Sequence, residues 1–300
     1  MFKISKEDEE VIKYLAKYKI MSVEDTKVIY NSKWYHRKRI KRLIEEGYIK
    51  KYKFYYIELD RKGRSLAGIT GKDYIKNKSN SSFMERLKQI SNIATITIDS
   101  NIKFIPSWEM KDKEIYTDAA RKYQGKIVMN NKEYLVYYIS DKKEKRYIHQ
   151  LLYDINKVME YENIIIFVDS FEKIKDELKY FKFGKSHTYI IVNSKDNKDL
   201  IKKHNDIDFY ESVKKIYGED KQILVSDWSV ADYLLGNSHY IANMLFVDTE
   251  RLNEIRWFFE ENTNTNKVID IITLKENEEI IKRLAPKGTR VFTIKNEELL

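Results

Sequence analysis

Nine basic residues stand between Asn31 and Lys53 against only two acidic ones, Glu45 and Glu46, a net of +7 over 23 residues. Lysine and arginine at this density neutralise phosphates, and a field so focused is the electrostatic footprint of a nucleic-acid-binding surface. The run WYHRKRIKRLIEEGYI spaces these charges for a helix. Projected at about 100° per residue, Trp34, Tyr35, Lys38, Lys41 and Arg42 share one side, while Ile40, Leu43 and Ile44 share the other. Arg37 and Arg39 flank the polar face, Lys33 precedes it, and all are expected to contact DNA together with that face. His36 falls on the apolar side and is assigned to the core rather than to a base contact. After Gly47, YIKKYKFYYIEL is rich in β-formers and carries Lys50, Lys51 and Lys53, which reads as a two-stranded wing over the DNA backbone, although no Asn-Gly turn signal is present.

Other chemistries find little support. The chain has no cysteine, which excludes disulfides and thiolate metal sites, and its five histidines are scattered, so neither a metal nor a cofactor is expected. Gly184, Lys185 and Ser186 resemble the end of a phosphate-binding loop, but that loop needs a glycine where Lys179 stands and a helix where HTYIIV reads as a strand. The GxSxG, HExxH and GxGxxG patterns are missing, which removes the main signals for a serine hydrolase, a zinc protease and a dinucleotide enzyme.

The basic face needs elements to hold it. Val11, Ile12, Leu15 and Tyr18 recur at helical spacing over Glu7 to Tyr18, with Ser5 as cap. A second short helix is expected from Ser22 to about Asn31. Ser32 offers a cap for the third helix and Gly47 ends it. Three helices followed by a basic hairpin form a winged helix-turn-helix, and duplex DNA is the expected partner.

Charge distribution sets this module apart. Of the net +9, residues 1–70 hold +8, leaving +1 for the other 230. With 42% hydrophobic and 34% charged residues, the composition is globular. No apolar run is long enough to cross a membrane, and MFKISKEDEE lacks the order of a signal peptide, so a cytoplasmic location is expected. Asp60 to Gly68 reads as a short helix after the wing, and the polar stretch KDYIKNKSNSS reads as a linker. The domains are therefore expected at 1–72 and 83–300, with 73–82 between them.

Phe83 to Ile98 reads as a helix, Lys126 to Met129 and Tyr134 to Ile139 as strands, and Glu144 to Glu160, including Met159, as a long amphipathic helix. From Asn163 on, strands and helices alternate: IIIFVD, FEKIKDELKYF, TYIIVN, and later MLFVD, TERLNEIRWFFEE, VIDIITL, ENEEIIKRL and VFTI. The fold class is thus α/β with a mixed sheet behind the N-terminal module.

The order of a winged helix ending LIEEGYI, then FYYIELDRKGRSLAG, a helix at Phe83, and IYTDAARKYQGKIVMNNKEYLVYYIS resembles the replication-relaxation family of plasmid and mobile-element proteins over about residues 7–168. The resemblance implies a second domain with a restriction-endonuclease-like core: a Pro-Asp-Ala segment, a hairpin, and a strand bearing acidic residues before a long helix. Asp118 matches the family's aspartate, with Thr117 in place of its proline, and Glu109 matches the upstream helix acid. The strand departs from the pattern. An active core needs a second carboxylate and a nearby lysine to hold Mg²⁺ and support the attacking water, whereas LVYYIS offers neither. Glu133 and Asp141, on either side of that strand, read as surface charges of the hairpin rather than as a relocated acid.

These observations point to a double-stranded DNA-binding protein of a plasmid or phage, acting in replication or its control, with a non-catalytic α/β domain for dimerisation or partner contact. A transcriptional regulator and a Mg²⁺-dependent nuclease or nickase using Asp118 are the alternatives. A homodimer is expected by analogy with winged-helix proteins that read two half-sites. Trp257, Phe258 and Phe259 are considered for its contact, with core packing the favoured role.

Overall fold

The computed structural model describes residues 2–32, 34–53, 55–69, 80–110, 122–129, 131–158, 160–178, 184–203, 207–263, 265–295 and 298–299. The chain is a mixed α/β protein that divides into two units, residues 1–106 and 107–300.

The first unit begins with α1 (Lys6–Tyr18), whose start is fixed by a reciprocal cap: the Ser5 hydroxyl accepts from the Asp8 amide, and the Asp8 carboxylate accepts from the Ser5 amide at 2.8 Å. A short strand β1 (Ile20–Ser22) follows, and then α2 (Thr26–Tyr30). This helix starts later than expected, because Ser22 spends its hydroxyl on the Asp25 amide one turn ahead of it. Next comes α3 (Tyr35–Glu45), where Ser32 Oγ accepts from the Tyr35 amide at 2.9 Å. Gly47, with φ of 76°, lets the chain reverse where a side chain would be strained.

The chain then forms β2 (Ile49–Tyr52) and β3 (Tyr56–Leu59). Together with β1 they make an antiparallel sheet in the order β1-β3-β2, so a strand not anticipated from the sequence completes it. Lys53 turns the hairpin at φ of 52°, a left-handed conformation reached without glycine. Helix α4 (Arg61–Leu66) sits so close to the preceding turn that a Cβ on Gly63 would lie 2.1 Å from the Tyr48 carbonyl oxygen, so only glycine fits there.

Helix α5 (Ser81–Ala94) belongs to this unit. Asn80 caps it, so residues 80–82 are part of the helix and its cap rather than linker. Met84 and Leu87 pack with Ile20 and Tyr52, the Tyr14 hydroxyl donates to Ser91 O at 2.6 Å, and Ser91 Oγ donates to Ile20 O at 2.7 Å. The polarity of KDYIKNKSNSS suggested a break, but the apolar face that follows it covers the small sheet. Strand β4 (Lys103–Pro106) closes the unit, with the Tyr18 hydroxyl donating to Phe104 O.

The second unit holds two mixed sheets where one was expected. The first contains β5 (Gly125–Met129), β6 (Lys132–Ile139), β7 (Asn163–Val168) and β8 (His187–Val192). Between β6 and β7 lies α6 (Lys145–Asn156), and between β7 and β8 lies the short α7 (Lys175–Leu178). Helix α6 is shorter than anticipated, and Met159 lies outside the described residues. Strands β5 and β6 form an antiparallel hairpin, while β6, β7 and β8 run parallel, as strands joined by crossovers do. Helices α8 (Lys195–Lys203) and α9 (Phe209–Tyr217) lead to the second sheet.

That sheet starts with the short antiparallel strands β9 (Ile223–Val225), β10 (Tyr233–Leu235) and β11 (His239–Asn243). The chain returns to the first sheet as β12 (Val247–Asp248), antiparallel to β8, so within this unit the first sheet runs β12-β8-β7-β6-β5. Helix α10 (Thr249–Glu261), β13 (Val268–Leu274), α11 (Glu278–Leu284) and β14 (Thr289–Ile294) complete the second sheet as β14-β13-β11-β10-β9. Asp270, fully buried in the middle of β13, accepts two bonds from Arg290 on β14 and one from the Tyr217 hydroxyl, which pins α9 to this sheet. No described helix is long and apolar enough to cross a membrane.

Candidate nucleic-acid interface

Helix α3 buries His36, Ile40 and Leu43 and exposes Trp34, Tyr35, Arg37, Lys38, Lys41 and Arg42. The buried histidine sits with Nδ1 2.9 Å from the carbonyl oxygen of Ser32. That oxygen can only accept, so the proton lies on Nδ1 and the ring serves to hold the start of α3.

The exposed cations differ in how far they are already committed. Lys38, Arg42, Lys51 and Lys53 form no ion pair with a described residue. Lys41 lies 3.9 Å from Glu45 across one exposed helical turn, a contact of negligible strength. Arg37 is more engaged: its guanidinium donates to Glu24 at 3.1 Å and lies 6.0 Å from the Trp34 ring. Lys27 and Arg37 between them hold the Glu24 carboxyl down to about 2.

Arg39 and Lys50 are already engaged by carboxylates of the chain itself. Arg39 points inward, donating through Nε and Nη2 to Asp8 and through Nη2 to Lys3 O at 2.7 Å, and it stacks on Phe2. Its position on the flank of the helical projection brings it over the N-terminus of α1, where a buried carboxylate captures it. Lys50 lies 3.4 Å from Glu58, its cross-strand partner, and 4.0 Å from Asp60. Glu58 is only 2% exposed, so the Lys50 ammonium balances a buried charge while its own side chain stays 44% exposed. Lys33 lies outside the described residues.

The hairpin adds a feature that the charge pattern alone did not reveal. Tyr55, at its tip beside Lys53, is 76% exposed, and Trp34 at the start of α3 is 70% exposed. Large apolar rings held in water beside lysines and arginines suit contact with sugars and base edges. The signal was present as the aromatic run FYY, of which alternation can bury only one side.

Asp8 organises this surface. It is fully buried, and besides Arg39 on α3 it accepts from the Tyr30 hydroxyl on α2 at 2.7 Å. Burial alone pushes its carboxyl up, but the Arg39 guanidinium, the Ser5 amide and the Tyr30 hydroxyl together hold it below the ordinary aspartate value. One carboxylate of α1 thereby fixes the angles of α2 and α3.

In the second unit, β6 holds Lys132 and Glu133 at its exposed start, while the stretch Leu135 to Ile139 matched to a nuclease core holds no carboxylate. Leu135 through Ile139 are all buried, and among the described residues the Tyr137 hydroxyl has no hydrogen-bond partner. Glu109 stands exposed in a turn, not on a helix, so it does not fill the upstream acid position, and Asp118 lies outside the described residues. Glu133 is exposed and pairs with Lys126 at 3.1 Å, as a hairpin surface charge does. Asp141 meets a residue not singled out from the sequence: its amide donates to Asp169 at 3.0 Å, while the Ser170 hydroxyl donates to Asp141 at 2.9 Å. The Tyr138 hydroxyl donates to the other Asp169 oxygen and accepts from Asn193 at 2.8 Å. Both Asp169 oxygens are thus engaged by the chain itself, which ties together the carboxyl ends of β6, β7 and β8. Among the described residues no group of three histidine, aspartate or glutamate side chains is placed to hold a metal ion.

Lys185, of the Gly-Lys-Ser tripeptide, donates to Val158 O, and burial lowers its pKa. Strand β8 begins at His187, as expected. Phe258 packs on Trp228 at 4.4 Å and Phe259 on Phe258 at 5.5 Å, while Trp257 stays 58% exposed, so the aromatic cluster divides between packing and surface. Comparison with known proteins returned no match: no protein-family model, no curated protein and no solved structure matches this chain.

Proposed function

We propose that the first unit is a winged helix-turn-helix that binds duplex DNA, with α3 in the major groove and the β2–β3 hairpin as a wing along the backbone. The observation that carries this reading is the exposed set Lys38, Lys41 and Arg42 on one face of α3, joined by Lys51 and Lys53 on the hairpin and free of strong ion pairs to described residues. Solvated lysines and arginines spread evenly over a surface would not concentrate on one helix and the adjoining hairpin. The reading extends to replication of a plasmid or phage, or its control, through the residue order shared with the replication-relaxation family.

The experiment is affinity for fragments tiling the element that encodes the protein, at two salt concentrations with excess competitor DNA. A tight site at an origin-like repeat is expected. A tight site at a promoter would shift the reading to transcriptional control, and uniform weak binding would contradict a sequence-specific role.

The second unit is proposed to be non-catalytic. The hairpin β5–β6 followed by α6 and the parallel strand β7 supports the order of an endonuclease-like core. However, the stretch Leu135 to Ile139 of β6, where a carboxylate and a lysine are needed, holds only aliphatic and tyrosine side chains packed in the interior, and the strand's own Glu133 lies exposed at its start and pairs with Lys126. Supercoiled plasmid incubated with the protein and Mg²⁺ is expected to stay intact. Nicking that disappears in Asp118→Asn would overturn this part of the reading.

A further inference from the structure

Strand β9 is an outer strand of the second sheet, pairing with β10 on one side and with no described strand on the other. Edge strands are commonly protected by charge, proline or a covering element, because their free amides and carbonyls template pairing with another chain. This one presents the opposite: Val225 is 81% exposed and Leu224 47% exposed. The Ser226 amide donates to Asp232 O at 3.0 Å, toward β10. By the alternation of an antiparallel ladder, the amides and carbonyls of Ile223 and Val225 therefore point to the open side.

The sequence around this edge is complementary to itself. In an antiparallel pairing of two copies about Leu224, Ile223 of each copy faces Val225 of the other, and Lys221 faces Asp227. Lys221 and Asp227 are both exposed, and the contacts they make within the chain, Lys221 with Asp220 at 3.9 Å and Asp227 with the Tyr240 hydroxyl at 3.5 Å, are long. The outward groups of Ile223 and Val225 then form four backbone hydrogen bonds across the two-fold axis. The two Leu224 side chains meet on one face of the extended sheet, and the Ile223 and Val225 side chains meet on the other. A partner of different sequence would have to reproduce both the apolar centre and the reversed charges at its ends, which a second copy supplies by symmetry.

We propose that β9 is the seam of a homodimer, with two copies of the chain pairing antiparallel about Leu224 and Lys221 of each facing Asp227 of the other. The proposal is independent of the DNA-binding reading. So short a seam falls below the roughly 800 Å² per partner of a standard interface, so the dimer is weak and depends on concentration.

Sedimentation equilibrium of the full chain over a wide concentration range tests it. Wild type is expected to show a reversible monomer–dimer equilibrium, and Val225→Lys, at a position too exposed to affect folding, is expected to be monomeric throughout. Lys221→Glu and Asp227→Lys are each expected to weaken the dimer several-fold, and the double exchange to restore it. A dimer that survives Val225→Lys, or a double exchange no stronger than its singles, would overturn the proposal. A wild-type chain that stays monomeric would also overturn it, leaving the edge to a strand from another protein.

Discussion

Asp8→Ala is expected to destabilise the first unit by about 3 kcal/mol, the low end of what breaking a buried ion pair costs. The carboxylate is fully buried and accepts from three side chains or amides on three elements, so its loss leaves the Arg39 guanidinium and the Tyr30 hydroxyl without their partner. The Arg39 side chain retains 14% exposure and can be partly rehydrated, which keeps the figure from rising further. For a unit of this size the loss corresponds to a fall in midpoint of roughly 10–20 °C, readable by thermal denaturation. Arg39→Lys keeps the charge but loses the planar fork, so it should also lower the midpoint. A midpoint within a degree or two of wild type for Asp8→Ala would show that the three helices hold their angles without this carboxylate.

The same group sets an acid limit. Because the folded-state pKa of Asp8 is depressed, its contribution is complete above the ordinary aspartate value and is lost as pH falls through the folded value. Stability of wild type should therefore drop below about pH 4 more steeply than that of Asp8→Ala.

The second large effect is on binding. Lys38→Ala, Lys41→Ala and Lys51→Ala combined should reduce affinity for duplex DNA by about two orders of magnitude at moderate salt, each lost phosphate contact removing one counterion-release term. All three side chains are exposed, and the only ion pair among them to a described residue is the 3.9 Å contact of Lys41 with Glu45. Stability should therefore stay within about 0.5 kcal/mol of wild type. Binding isotherms at one salt concentration, set beside melting curves of the same proteins, separate lost contact from lost fold. Arg39→Ala should show the reverse balance, losing stability first.

Much of this could be read from residue spacing. Ile40, Leu43 and Ile44 fixed which side of α3 faces inward, and the polar side followed from the same period. His36 was placed in the core for the same reason, and it is there. What spacing cannot show is a long-range partner. Arg39 and Lys50 carry the same charge as their neighbours, and nothing local shows that Asp8, 31 residues earlier, and Glu58, across the hairpin, are buried and need them. Strand β1 was missed because three residues give no period to detect, and β9 to β11 because each is only three to five residues long. Polar composition marks a connection before α5 but does not say which core that helix joins. Asp169 was visible only as the end of IIIFVD, and its role depends on Tyr138, Asp141 and Asn193 converging from other strands.

The central claim is that α3 and the hairpin form a phosphate-contacting surface, and its most direct test is the salt dependence of binding. Fluorescence anisotropy of a labelled duplex would be titrated with the full chain over a series of salt concentrations, for wild type and for the triple lysine variant. The slope of log affinity on log salt is expected to become shallower by about 2.7 in the variant, about 0.9 for each lysine. Equal slopes for the two proteins would contradict it and place the DNA contact elsewhere on the chain.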